Sequence, residues 1–306
     1  MKHVIVFVYV MLAAPLSFAS PSWQSQIVGA PLAWNEGLTG RGVTIAIIDS
    51  GLDLTETRAA RTVFKNSADP INGRDDDGNG LVDDHSGWNF QDHDNDVGTD
   101  STHGTRLAAL VIDREAGIAP EATILPLKFL GPNGGYVEHA VEAMTYAVRM
   151  NAEVVVLPWG SERHFQIVYE KMKELSDAGI LMITAAGNSG NDINGFPEYP
   201  AAYGLKTLIT VGASTRDDRL AAFSNSGMLV DIAAPGSGIE LETKNGRTSL
   251  DGTSYATSLV AGAAALIYEK FPGLTAVEVK ARLLKSADPI SAHIAGERLN
   301  VYKALR

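Results

Sequence analysis

Between Val43 and Asp49 the chain reads VTIAIID, a β-branched run with no polar interruption until its last residue. A strand that faces solvent on one side alternates apolar with polar residues. One without that alternation must be covered on both faces, as in a parallel sheet flanked by helices. Comparable runs recur at Thr123 to Leu127, Val154 to Leu157, Ile180 to Ala185 and Thr207 to Val211. Two segments among them, Val137 to Met150 and Phe165 to Ala178, carry apolar residues at three- and four-residue spacing, the stripe of a helix packed on one face. Strand alternating with helix predicts an α/β fold: a mostly parallel central sheet with helices on both faces. From Thr253 onward the chain reads as two helices, the second opened by Thr275 with Glu278 three residues later, the pattern of a capping box. No repeat, linker or low-complexity tract interrupts residues 20–306, which are read as one domain.

The first nineteen residues stand apart. Lys2 and His3 precede an apolar run from Val4 to Leu12, then Pro15 and the small-residue stretch Ser17, Phe18, Ala19, the layout of a secretory signal peptide cleaved after residue 19. The run is shorter than the ~20 residues that span a bilayer. The mature chain is therefore expected to be secreted or periplasmic, with no membrane anchor. It contains no cysteine, so in an oxidising compartment its stability must come from packing or from a metal. Residues 75–100 hold nine aspartates and neither Lys nor Arg, and so account for most of the net charge of -11; nucleic acid is excluded as a partner.

In open α/β sheets, function gathers beyond the carboxyl ends of the strands, and Asp49 ends its strand there. Three further segments carry polar residues at comparable positions. DSTHGTRLAAL sets His103 before a helix-forming run, ITAAGNSGN ends a buried strand at Asn188, and DGTSYAT brings Ser254 to a helix start. Singly, each has an ordinary explanation as a turn or surface residue. Together they supply what nucleophilic acyl transfer requires: a hydroxyl, an imidazole to take its proton, a carboxylate to fix the imidazole tautomer, and donors for the oxyanion. The backbone N–H of a serine at a helix start is free of intrahelical bonding, so Ser254 N–H and the Asn188 amide are candidate oxyanion donors. Ser254, Asp288 and His293 also follow the order of an α/β-hydrolase, but G-T-S-Y-A is not the G-x-S-x-G elbow and Asp288 reads as a turn before Pro289.

The segments IAIIDSGLD, STHGT, AAGNSG and GTSYAT, in that order and separation, resemble those of the subtilisin-like serine proteases, the subtilases. YPAAYGLKTLITVGAS, FSNSG, IAAPG and the closing RLNVYKAL extend the resemblance over nearly all of the chain after residue 19. It implies a serine endopeptidase acting on polypeptides, with Asp49 orienting the imidazole, His103 as general base and then acid, Ser254 as nucleophile and Asn188 as oxyanion donor. It also implies a pocket for the residue before the scissile bond, bounded by Pro158, Trp159 and Gly160, with Glu198 near its base. A carboxylate there favours Lys or Arg. A non-catalytic peptide-binding protein or a slow acyl-transfer enzyme of the same fold is the alternative. Where the family has a proline four residues after the nucleophile, this chain has Ser258, which leaves the start of that helix less constrained. Arg106 replaces a family histidine, Tyr255 stands where Met is frequent, and Asp251 replaces a common serine without an evident role.

DDDGNGLVDDHS, residues 75–86, fits a calcium loop: Asp75, Asp77 and Asn79 at its first three ligand positions, Gly80 at the sharp turn, Leu81 offering a carbonyl and Asp83 the ninth position. Ser86 stands where a bidentate Glu belongs, so Asp84 is expected to supply that carboxylate. Asp92, Asp94, Asp96 and Asp100 offer a less diagnostic second site, and His85 and His93 lack the spacing of a transition-metal site. The stretch between residue 19 and Asp49 is used by the catalytic unit in the family, which leaves no room for the usual propeptide. Folding is then expected to be unassisted, calcium-driven or helped by a folding-assistant chain, and latency to be controlled by other means, such as a separate inhibitor chain.

Overall fold

The computed structural model describes residues 20–55, 59–99, 101–291 and 297–306. The expected signal segment, Asp100 and His293 lie outside the described residues.

The uninterrupted apolar runs form the centre of a seven-stranded parallel sheet. β1 (Thr44–Asp49) lies between β3 (Thr123–Lys128) and β4 (Val154–Leu157), with β2 (Trp88–Asn89) beyond β3. On the other side follow β5 (Leu181–Ala185), β6 (Leu208–Ser214) and β7 (Ile232–Pro235). In register, Ile47 faces Pro126 on β3 and Val156 on β4, and Asp49 faces Lys128. The chain lays down neighbours on opposite sides of β1, so a crevice opens at its carboxyl end, beside Asp49.

Alternate strand residues belong to two separate cores. Ile45, Ile47, Val154, Val156, Ile183 and Val211 face one side; Ala46, Ile48, Leu125, Leu127, Val155 and Leu157 face the other. Among the described residues, nine helices run in chain order: α1 (Trp23–Ile27), α2 (Ala30–Asn35), α3 (Ala59–Thr62), α4 (His103–Ile112), α5 (Val137–Arg149), α6 (Gln166–Asp177), α7 (Thr253–Lys270), α8 (Ala276–Lys285) and α9 (Val301–Ala304). The first core takes α4 and α7, the second α5 and α6. Every residue of α7 from Thr253 to Ile267 is buried, and it runs across β4 to β7 and against α4. Only a helix of small residues fits so closely: a Cβ on Gly262 would stand 2.7 Å from Ile118 Cβ. The capping box at α8 forms as expected, Glu278 N–H donating to Thr275 Oγ1 and Thr275 N–H to Glu278 Oε2.

Two features depart from the sequence reading. An antiparallel hairpin, β8 (Ile239–Thr243) and β9 (Gly246–Leu250), precedes α7, and α9 adds a third helix after Thr253. The hairpin strands bury only Ile239, Leu241 and Leu250, too few apolar positions for the periodicity to reveal them. No helix among the described residues is long and apolar enough to cross a membrane.

Candidate active site

Asp49 is almost wholly buried at the end of β1, and both its carboxylate oxygens face His103 Nδ1, at 2.9 and 3.0 Å. A carboxylate can only accept, so Nδ1 carries the proton and Nε2 presents a lone pair. That lone pair faces Ser254 Oγ at 3.0 Å. Ser50 joins the two ends of the first contact: its hydroxyl donates to Asp49 Oδ1 at 3.0 Å and accepts from Gly104 N–H at 3.1 Å. α4 approaches β1 so closely that a Cβ on Gly104 would meet the Gly51 carbonyl oxygen at 2.2 Å, so only glycine fits after His103. Tyr255 is buried beside the imidazole, with ring centroids 5.5 Å apart, rather than standing free over the cleft.

Ser254 lies in the first turn of α7, where backbone N–H groups have no intrahelical acceptor. Across from it, Asn188 Oδ1 accepts from both the backbone N–H and the hydroxyl of Thr253, each at 2.9 Å. A backbone N–H can only donate, so the amide orientation is settled and Nδ2 remains as an unengaged donor. Ser258 leaves α7 unbroken. Its side chain is completely buried and its hydroxyl has no partner among the described residues, and Ser254 Oγ lies 3.0 Å from His103 Nε2.

Glu198 is wedged between two glycines. A Cβ on Gly160 would lie 2.7 Å from one of its carboxylate oxygens, and a Cβ on Gly187 would lie 2.0 Å from the other. Burial raises its carboxyl above the usual carboxylate value, the hydrogen bond from Asn225 opposes this, and Glu162 adds to it. Pro158 is buried next to this wall. Trp159 is committed to the sheet: its indole donates to Ile48 O at 3.0 Å and its ring packs 5.1 Å from Phe129. Asp251, without a role in the sequence reading, accepts from Ser237 Oγ and Gly238 N–H and so closes the turn before β8. Asp288 is bound to Arg298, Asn300 and Lys303, a corner that anchors the C-terminal segment. Arg106 Nε is buried without a partner, and nothing in the structure explains the substitution.

The acidic segment is arranged differently from the expected ligand set. Asn66 and Asn79 each turn Oδ1 to a backbone N–H, of Ala68 and Leu81, and so direct Nδ2 towards the carboxylates. Asn66 Nδ2 reaches Asp77 at 3.0 Å and Asp84 at 2.6 Å; Asn79 Nδ2 reaches the same two at 3.1 and 2.6 Å. Asp75 accepts from the backbone of Asn79 and Gly80. Asp84 is fully buried, also accepts from Tyr146, and is pushed upward chiefly by burial, with Asp77 adding to it. Asp83, in left-handed backbone at φ 60°, turns its carboxylate to the N–H groups of Asn72 and Gly73. As the side chains stand, no three His, Asp or Glu among the described residues are arranged to hold a metal ion. The donor chemistry nonetheless suits a hard cation: carboxylates converge at Asp77 and Asp84, and no Lys or Arg among the described residues is bonded to either. Asp92 and Asp94 close on Asn89, and Asp96 on Gly98 N–H, as local turns.

Sequence reasoning passed over Thr253, Ser50 and Asn225, which hold the site from behind. Of these only Thr253 could have been suspected, from its place beside Ser254.

A buried Asp, a His and a Ser in hydrogen-bonded series at the carboxyl edge of a parallel sheet define a serine hydrolase of α/β architecture. The comparisons narrow this. The model of the Subtilase family matches residues 40–300. Thermitase of Thermoactinomyces vulgaris is 32% identical over 300 residues, 94% of this chain and 97% of the relative. The major intracellular serine protease of Bacillus subtilis (strain 168) is 30% identical, over 87% of this chain and 82% of that one. A crystal structure of a cold adapted subtilisin-like serine proteinase superposes with a TM-score of 0.70 at 26% identity, over 85% of this chain and 90% of that one. The chain belongs to the subtilase family and is a serine endopeptidase of the subtilisin type.

Proposed function

We propose that Asp49, His103, Ser254 and Asn188 carry out peptide-bond hydrolysis through an acyl-enzyme; the carrying observation is the unbroken series from Asp49 through His103 to Ser254 Oγ. Ser254 Oγ attacks the scissile carbonyl carbon as its proton passes to His103 Nε2. The negative charge that develops on the carbonyl oxygen is met by Ser254 N–H and Asn188 Nδ2. His103 then protonates the leaving amine, and the same groups in reverse order add water to the ester. Asp49 holds the tautomer throughout and stabilises the imidazolium. Both its oxygens lie on one N–H, and the carboxylate itself is almost wholly buried.

Glu198, braced between Gly160 and Gly187, is read as the base of the pocket for the residue before the scissile bond, with Pro158 and Trp159 on the flanking segment. A half-buried carboxylate there selects Lys or Arg. Profiling kcat/KM on peptides differing only in Arg or Leu at that position tests this: Glu198→Gln should lower the Arg-to-Leu ratio about tenfold or more. An unchanged ratio removes the assignment.

The apolar leader at residues 1–19 supports export, to the periplasm or beyond the cell, for cleavage of polypeptides there. Calcium is commonly bound by subtilases, and the oxygens of Asp75, Asp77, Asn79, Leu81, Asp83 and Asp84 are those that would hold it here. Its role would be to neutralise crowded carboxylates and fasten the loop, outside the chemistry.

A further inference from the structure

Behind both the oxyanion turn and the pocket base stands one side chain, Asn225, which is 1% exposed. Its Oδ1 accepts from the backbone N–H of Ser189 at 3.1 Å and of Asn191 at 2.9 Å. Its Nδ2 donates to the carbonyl of Ala186 at 2.9 Å and to Glu198 Oε2 at 2.8 Å. Its own backbone N–H donates to the Gly187 carbonyl at 3.0 Å. The segment on either side of Asn188 is therefore clasped at Ala186, Gly187, Ser189 and Asn191 by a single residue. The same amide that shapes the turn holds one oxygen of Glu198.

An asparagine is the side chain that can do this. Two backbone N–H groups require an acceptor, while a carbonyl and a carboxylate require donors, and only a carboxamide presents both faces at once. Aspartate, of the same shape, would set a second carboxylate against Glu198 and the Ala186 carbonyl. Gly187 adds to the constraint: at φ 103° and with no room for a Cβ against Asn225 and Glu198, it lets the turn reach the clasp. Thr253 fixes the Asn188 amide from the other side, so the turn is held from two directions.

We infer that Asn225 is a positioning residue that couples transition-state stabilisation to substrate selection, by locking the Asn188 turn and the Glu198 carboxylate into one hydrogen-bonded unit. The inference rests on the roles proposed above for Asn188 and Glu198. A shift of about 1 Å in a donor aimed at a reacting atom can cost about 10²-fold in rate, so loosening the turn should lower kcat more than it raises KM. Loosening Glu198 should lower the preference for Arg over Leu.

The test uses Asn225→Asp and Asn225→Ser in the full-length enzyme, with active sites titrated by a serine-reactive phosphonate so that only folded, competent molecules count. On a Leu substrate, where Glu198 adds nothing, kcat should fall tenfold or more with KM within about threefold. The Arg-to-Leu ratio should fall with it. In an Asn188→Ala background, where the donor is already gone, Asn225→Ser should cost little further in kcat, because the two residues act through one interaction. Equal losses of kcat with Asn188 present or absent would overturn the coupling, as would variants that lower the melting temperature but leave kcat per titrated site and the substrate ratio unchanged. If Glu198→Gln alone leaves the ratio untouched, the pocket reading has failed, and the kcat comparison with Asn188→Ala still decides the oxyanion half.

Discussion

The active site and the acidic loop are both clusters of buried or half-buried polar groups, yet they are built on opposite plans. At the active site the partners come from far apart in the chain: 54 residues separate Asp49 from His103, and 151 separate His103 from Ser254. Each sits at the end of a strand or the start of a helix whose other residues fill the cores. Its geometry is therefore as rigid as the packing beneath it. In the acidic loop the bonds are mostly local, Asp75 with Asn79 and Gly80, Asp77 with Asn79, Asn79 with Asp84. Of the carboxylates there, only Asp84 is tied to a regular element among the described residues, by the hydroxyl of Tyr146 on α5. What the contrast teaches is that the first arrangement is set by the packing of distant elements, while the second is set mostly by hydrogen bonds within the loop.

Substitutions at the active site should accordingly act on rate with the fold intact. Ser254→Ala should lower kcat by about 10⁶-fold, and Asp49→Asn by about 10⁴-fold, because the amide favours the wrong imidazole tautomer. Gly104→Ala is a packing counterpart: the added methyl meets the Gly51 carbonyl, moves His103, and should cost about 10²-fold in kcat together with a lower melting temperature. In the acidic loop the order reverses. Calcium at about a hundred times its dissociation constant should add roughly 3 kcal/mol of stability, read as a rise in melting temperature, with kcat nearly unchanged. Asp84→Asn should remove most of that rise, and a rise equal in the variant and the parent would place the ion elsewhere.

The smallest expected effect concerns Asp53, which joins the segment after Asp49 to Lys244 at the tip of the β8–β9 hairpin. The hydrogen bonds from Lys244 and Thr55 lower its carboxyl to about 2. Its folded value lies below the ordinary Asp value of 3.8, so its stabilisation is present above that value and lost as pH falls towards 2. Asp53→Asn should flatten that part of the stability profile, by a modest amount for a partly exposed pair.

Much of this was legible in the sequence because the signal was local. VTIAIID, TILPL and VVVL became β1, β3 and β4, since a strand covered on both faces needs no other pattern. Asp49, His103, Asn188 and Ser254 stood out only together, because each alone suits a turn or a helix start while the four in that order supply every part that acyl transfer needs. The hairpin was missed because only alternate side chains are buried in five-residue strands. The turn of the Asp83 carboxylate to Asn72 and Gly73 was not legible, because a loop motif gives the order of its oxygens and not the backbone φ. Asn225 was invisible: its partners at 186, 189, 191 and 198 are set by packing between β5 and the segments after β5 and β6, and FSNSG alone carries no trace of them.

The most direct test of the central claim is labelling of the purified chain with a serine-reactive phosphonate, followed by intact mass and peptide mapping. One adduct per chain, on Ser254, lost in Ser254→Ala and slowed by orders of magnitude in His103→Ala, is the expected result. A folded protein that takes no label, or takes it equally without His103, would contradict the account.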